Sequence, residues 1–173
     1  GLPPESLAGI LSASISASAP IDRLNDPAAW KGQGYVTSPV IFAFGQPVRD
    51  GRVHCTLSNN EIRVSEVSAR WNQTSFLARA TTEIIPPFRF VGNAEVTAID
   101  LRNVSELTAS ITGNQNQMSG SATLTGSIVG NIASMNYRCS GDVTVNNLAV
   151  ANRRLGDHRF QCSLSPTMLN IEE

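Results

Sequence analysis

The side chains able to do chemistry are few. Two histidines (His54, His158) and three cysteines (Cys55, Cys139, Cys162) make up the metal-prone and nucleophilic set. His54 and Cys55 are chain neighbours, and neighbours on a strand point to opposite faces, so they cannot readily serve one metal ion. A catalytic thiolate needs a polar, electropositive setting. Each cysteine instead alternates with apolar residues: Val53 and Leu57 around Cys55, Tyr137 beside Cys139, Phe160 and Leu164 around Cys162. That setting suits small buried thiols. A Cys139–Cys162 disulfide fits an oxidising compartment, but the odd count leaves one thiol over and spacing does not fix pairing. The 14 carboxylates are scattered. Glu61, Glu66 and Glu95 are too dispersed for the paired acids of a carbohydrate-acting enzyme. Gly120, Gly126 and Gly130 fall in alternating segments, where glycine marks curvature or close packing and not a phosphate cradle. No Gly-x-Ser-x-Gly elbow occurs. Asn72-Gln73-Thr74 and Asn103-Val104-Ser105 match the glycosylation acceptor pattern, which arises readily in a chain rich in Asn and Ser. The protein is therefore expected to be no enzyme, and to hold no metal or cofactor.

Composition points the same way. The 173 residues are 41% apolar, 16% charged and 6% aromatic, with net charge −1. That length supports one domain, or one stretch of a repeating architecture. The charge content is low against the roughly 25% of ordinary soluble domains. Ser, Thr and Asn number 19, 12 and 14, a composition of wet strand faces and turns, whereas exposed helices carry Lys and Glu. Twelve Arg stand beside the single Lys31, and the one tight basic pair, Arg153-Arg154, reads as a solvated turn, so nucleic acid is excluded as a partner. The longest apolar run, Pro39 to Phe44, is far short of the roughly 18 residues of a membrane-spanning helix. The chain opens Gly-Leu-Pro-Pro without Met or a signal peptide, and is expected to be a segment of something longer.

The elements follow from period-two alternation, the mark of a strand with one dry and one wet face. Leu11, Ala13, Ile15, Ala17 and Ala19 alternate with serines; Phe88, Phe90, Gly92, Ala94, Val96 and Ala98 with polar or charged residues and one valine; Met118 to Ile128 with Ser, Thr and Gln. Shorter runs repeat it, among them Val53/Cys55/Leu57, Ile62/Val64, Phe76/Ala78/Ala80 and Phe160/Cys162/Leu164. Turn chemistry is expected at Arg49-Asp50-Gly51, Ser58-Asn59-Asn60, Trp71-Asn72-Gln73, Pro86-Pro87, Thr112-Gly113-Asn114 and Asn146-Asn147. Helical signal is limited to short turns at Pro3 to Leu7, at Asp26-Pro27-Ala28-Ala29-Trp30 with Asp26 as cap, and at Asp100 to Leu107. An all-β antiparallel sheet follows. Its apolar face has no helical layer to hide it, so the sheet must curl into a barrel, a sandwich or a U-shaped trough.

Residues 34–66 align without a gap on 141–173, at an offset of 107, with nine identities, among them Gly34/Gly141, Asp50/Asp157, Cys55/Cys162 and Leu57/Leu164. Chance gives roughly two, with common residues near one in fifteen. Leu7-Ala8-Gly9 parallels Met118-Ser119-Gly120 at an offset of 111. The expected organisation is a unit at about 7–117 and a second, incomplete, at 118–173, with further units on both sides.

Leu7-Ala8-Gly9-Ile10-Leu11-Ser12-Ala13, then Ala19-Pro20-Ile21-Asp22, Asp26-Pro27 and Trp30, then Val48-Arg49-Asp50-Gly51-Arg52-Val53 and Asn60-Glu61-Ile62-Arg63-Val64, resemble the repeats of the AsmA-like or TamB-like bacterial envelope proteins. The likeness spans nearly the whole chain on degenerate motifs; Asn59-Asn60 and Pro166-Thr167 stand where that pattern has Asp-Gly. The resemblance implies a curved sheet folded lengthwise into a trough (a β-taco or solenoid-like form) with an apolar interior. It implies a parent protein anchored in the inner membrane and reaching across the periplasm. It also implies phospholipid transport towards the outer membrane, or a role with an outer-membrane assembly partner.

The expected site is accordingly an apolar groove for lipid acyl chains or a hydrophobic client, faced by Val53, Leu57, Ile62, Val64, Phe76, Phe88, Phe90, Val96, Leu124, Ile128, Tyr137, Phe160 and Leu164. For each aromatic, ordinary core packing is the competing role. The rival function is a structural or adhesive surface module, a β-sandwich or solenoid with a sealed core.

Overall fold

Alternation becomes strand nearly everywhere it occurs. The computed structural model describes residues 7–43, 46–112 and 117–172. They form one open antiparallel sheet of eleven strands: β1 (Leu7–Gly9), β2 (Ser12–Ser18), β3 (Lys31–Ala43), β4 (Gln46–Ser58), β5 (Glu61–Trp71), β6 (Thr74–Glu83), β7 (Arg89–Asp100), β8 (Met118–Asn131), β9 (Asn136–Val150), β10 (Arg153–Ser165) and β11 (Met168–Glu172). From β3 onward each strand pairs with the next, while β1 and β2 share the outer edge of β3. The ladder breaks between them. There the buried Ser38 hydroxyl donates to the Ile10 carbonyl at 2.7 Å and contacts the Val40 carbonyl at 3.0 Å, beside Pro39, which has no N–H to offer.

The pairing fixes which residues share a face. One row crosses every strand from β2 to β11: Ile15, Gly34, Cys55, Val64, Ala80, Gly92, Ile128, Cys139, Leu164, Leu169. A second runs Ala13, Val36, Val53, Val67, Ala78, Ala94, Gly126, Gly141, Cys162, Ile171. Both rows are apolar throughout, and the alternate positions carry the Ser, Thr, Asn and Arg of the wet face.

Turn residues split into two groups. Asn59 and Asn60, at φ 51° and 63°, make the two-residue hairpin between the paired Ser58 and Glu61, a left-handed geometry that asparagine tolerates. Trp71 and Thr74 pair across Asn72-Gln73, where Asn72 alone is left-handed, at φ 54°. Arg49-Asp50-Gly51 and Asn146-Asn147, expected to be turns, lie inside β4 and β9 instead. Asp50 and Asn147 each have φ 54°, at slips in the β4–β5 and β8–β9 registers. A single left-handed residue adds one residue to a strand without reversing it, which twists the sheet and bends it. The turn between β9 and β10 is made by Ala151 and Asn152, both at positive φ.

The short turn Pro27–Ala29 forms as expected, with Asp26 accepting the Ala28 amide at 2.9 Å. The turn anticipated at Asp100 to Leu107 is longer: α1 (Leu101–Thr112) has 12 residues. Asp100 opens it by accepting the Arg102 amide at 2.9 Å. The turns expected at Pro3 to Leu7 and around Gly113-Asn114 lie outside the described residues. α1 packs on β7 and β8, where the buried Ser105 hydroxyl accepts the Met118 amide at 3.3 Å. Ala122 (4% exposed) and Val145 (6%), paired across β8 and β9, are the buried apolar side chains among the described residues. No large side chain there is fully buried. The helix covers one end of the sheet, and among the described residues no further element packs across the rest of the apolar face.

The offset of 107 carries into the ladder. Arg153–Ser165 is Gln46–Ser58 shifted by 107, 13 residues in each. Gly34 faces Cys55 as Gly141 faces Cys162, and each thiol contacts its glycine's carbonyl, at 3.6 and 3.5 Å.

Candidate functional site: an open apolar groove

The apolar face is hollow where its residues are smallest. A groove of about 460 Å3 is lined from β6 through to β11. In a flat sheet those strands would stand about 24 Å apart, five spacings of about 4.8 Å, so a hollow shared by both requires the sheet to curve. Ala78 and Ala80 on β6, Gly92 and Ala94 on β7, and Gly126 and Gly141 on β8 and β9 make the floor. Leu124, Ile128, Leu164 and Leu169 stand up as walls, with Cys139 and Cys162 between them.

The thirteen anticipated residues distribute as follows. Leu124, Ile128 and Leu164 line this groove. Val53 and Val64 lie on the two rows given above. Phe76 and Val96 pair with each other, and their row continues through Leu124 and Val143 to Phe160. Leu57, Ile62, Phe90 and Tyr137 share a further row that runs Leu57, Ile62, Thr82, Phe90, Gly130, Tyr137. Phe88 lies in the turn before β7, where its amide donates to the Ile85 carbonyl at 2.8 Å. The Phe90 ring lies across Gly130, so close that a Cβ there would meet it at 2.6 Å. An aromatic beside a strand glycine replaces the packing the glycine lacks. The groove floor thus consists of small residues that sequence reasoning passed over. Their signal was present, because Ala78, Ala80, Ala94 and Gly126 occupy the same alternating positions, but side-chain bulk drew attention to the aromatics.

The three thiols are free. Cys139 pairs with Leu164 and Cys162 with Gly141, which makes the two cysteines diagonal neighbours. Diagonal Cα atoms stand about 7–8 Å apart, beyond the roughly 4.4–6.8 Å that a disulfide spans.

No family model, curated protein or solved structure matches the chain. The site is therefore characterised by its own geometry.

Behind the groove the wet face carries ion pairs and short polar contacts. Arg159 and Gln161 donate to Asp142 at 3.0 and 3.4 Å, and the Ser127 and Ser140 hydroxyls lie 3.0 Å apart. A second hollow of about 490 Å3, half polar and half apolar, is lined there by Asp142, Gln161, Asn170 and Glu172 among others, and it has Gly126 and Gly141 in common with the apolar groove. Along that glycine pair the two hollows are separated by backbone alone. Two carboxyls are held below the ordinary 3.8: Asp50 by hydrogen bonds and charge from Arg70, Asp26 by the Arg23 hydrogen bond and then the Ala28 amide. Both lie far from the groove in sequence and serve turns or bulges. Among the described residues, no group of three or more His, Cys, Asp or Glu could hold a metal ion, and His54 spends its Nδ1 on Ser65 Oγ at 2.8 Å.

Proposed function

We propose that the chain is a non-enzymatic groove segment that shelters acyl chains, as a stretch of a repeat protein of the cell envelope that moves phospholipid between inner and outer membranes or aids outer-membrane assembly. The observation that carries the reading is the unroofed apolar face with a groove of about 460 Å3 running across β6 to β11. Large apolar side chains stay open to solvent on this sheet, Ile15 at 79% exposure and Leu169 at 63%. Water is a poor partner for such a surface, and a hydrocarbon chain gains about 0.8 kcal/mol for each CH₂ it buries there. The lining of the groove is almost wholly apolar, which suits a chain tail and leaves a charged headgroup outside. The corresponding strands and Gly–Cys pairs at the 107 offset support the repeat.

The absence of a fully buried large side chain among the described residues weighs against a sandwich or solenoid module with a sealed core. Photo-crosslinking to phospholipid tests the reading. A photoreactive residue at Leu124 is expected to label acyl chains strongly, while one at Thr123 or Thr125, on the wet face, labels weakly. Equal labelling from both faces would sink it.

A further inference from the structure

We infer that the wet face over β5 to β8, in the middle of the sheet, holds a binding site for a small organic phosphate monoester, with Arg63 and Arg79 as its anion clamp. A hollow of about 640 Å3 is lined there by Arg63, Ser65, Arg79, Thr81, Asn93 and Ser127, with Val91 among its other neighbours. The ladder sets these residues side by side. Arg63 is paired with Thr81, Thr81 with Val91, Arg79 with Asn93 and Asn93 with Ser127. Arg63 and Arg79 are therefore diagonal neighbours on adjacent strands, with Cα atoms about 7–8 Å apart. Two arginine side chains at that separation are long enough to reach one ligand group.

Charge around the hollow is one-sided. Among the described residues two guanidiniums line it and no carboxylate does, whereas the hollow beside β9 to β11 carries Asp142 and Glu172. The nearest acids in the ladder are placed elsewhere. Glu61 approaches Arg63 at 4.0 Å, Glu66 accepts the Ser68 hydroxyl at 2.7 Å, and Glu95, diagonal to Arg79, is paired with Leu77. Among the described residues Arg79 has no ion-pair partner. Like charges brought together repel, and an anion seated between them relieves that repulsion.

The ligand class follows from charge and donors. A guanidinium fork matches phosphate through two parallel hydrogen bonds, and two forks balance the roughly −1.5 to −2 charge of a phosphate monoester. A carboxylate would balance only one. The Ser65, Thr81 and Ser127 hydroxyls and the Asn93 amide are further donors for phosphate oxygens. The hollow lies within the roughly 300–1,000 Å3 of small-molecule sites, and Val91, 52% exposed on the wet face, gives the organic part an apolar seat. The acyl-chain groove opens on the opposite face, so this site is independent of what that groove carries.

The test uses the intact 173-residue chain with phenyl phosphate as probe, followed by calorimetry and by amide shifts in NMR spectra. Saturable one-to-one binding is expected, with the largest shifts at Arg63, Ser65, Arg79 and Asn93. Arg63→Gln and Arg79→Gln are each expected to weaken it about tenfold, the loss of a charge-assisted hydrogen bond. Arg138→Gln, on the same face but outside the hollow, is expected to change it by less than about twofold. Benzoate is expected to bind about tenfold more weakly than phenyl phosphate. Phosphatidic acid in phosphatidylcholine vesicles presents the same monoester on a lipid: displacement of phenyl phosphate assigns the site to a lipid headgroup, and no displacement assigns it to a soluble organic phosphate. The inference is overturned by no saturation up to about 10 mM phenyl phosphate, or by benzoate binding as tightly. It is equally overturned if the glutamine variants at 63 and 79 bind as the wild type does, or if Arg138→Gln weakens binding as much as they do.

Discussion

Replacing Ala94 with leucine tests whether the groove is a ligand site or an idle hollow. Ala94 lies on the floor, and its directly paired cross-strand partners, Ala78 and Gly126, are both small, so a leucine there extends into the open space between the Leu124 and Ile128 walls. It adds three carbons where three methylenes of a bound chain would otherwise sit. At about 0.8 kcal/mol per methylene the loss is about 2.4 kcal/mol, or about 50-fold in affinity at 1.4 kcal/mol per decade. The fold itself is expected to shift by no more than about 0.5 kcal/mol, since no existing contact is removed. Titration with a fluorescent phospholipid reads the first number and urea denaturation the second. Asn93→Leu puts the same side chain on the opposite face and is expected to leave binding within about twofold. If Ala94→Leu binds as tightly as the wild type, or if Asn93→Leu weakens binding as much, the groove is not where the ligand sits.

Four further outcomes follow from the same geometry. Gly130→Ala is expected to destabilise by about 1–3 kcal/mol in urea, because its Cβ would fall 2.6 Å from both the Asn136 carbonyl oxygen and the Phe90 ring. Gly126→Ala, whose Cβ would find its nearest atom at 3.2 Å, is expected to stay within about 1 kcal/mol of wild type. Ser38→Ala removes the hydroxyl that serves Ile10 and is expected to cost about 1–2 kcal/mol, with faster amide exchange in β2 as its local signature. Asp50 and Asp26 titrate below their unfolded value of 3.8, so their ionised forms favour the fold. That contribution is complete above the unfolded value and is lost as pH falls through the lower folded one. Asp50→Asn should therefore flatten the acid limb of stability in low salt, and added salt should shrink the difference, since both carboxylates are exposed.

The fold class was legible because a two-residue period admits few other readings, and because the chain had no long amphipathic helix to set against a sheet. Faces were legible for the same reason: once Cys55 is inward, so are Val53 and Leu57. Three things were not. Asp50 and Asn147 have the chemistry of turn residues, and only the pairing of both flanks shows that a left-handed residue there makes a bulge. α1 outran its forecast because Thr108 to Thr112, with its β-branched and hydroxyl residues, shows weak helical preference. The groove floor was hidden because a cavity is defined by missing bulk. Ala78, Ala94, Gly126 and Gly141 were visible as inward positions, yet nothing in a linear string shows that four adjacent strands put their smallest residues side by side.

The facing glycines Gly126 and Gly141 set a mechanical property of the whole sheet. A β-sheet resists folding toward a face chiefly because side chains on that face collide. Along the line from Ala78 through Ala94 to Gly126 and Gly141 the colliding atoms have been pared to methyl groups and then to hydrogens. Curling strand toward strand therefore costs least along this row, and the breadth of the gutter is governed by atoms the sequence leaves out. Thickening the row one methyl at a time would open the gutter in graded steps.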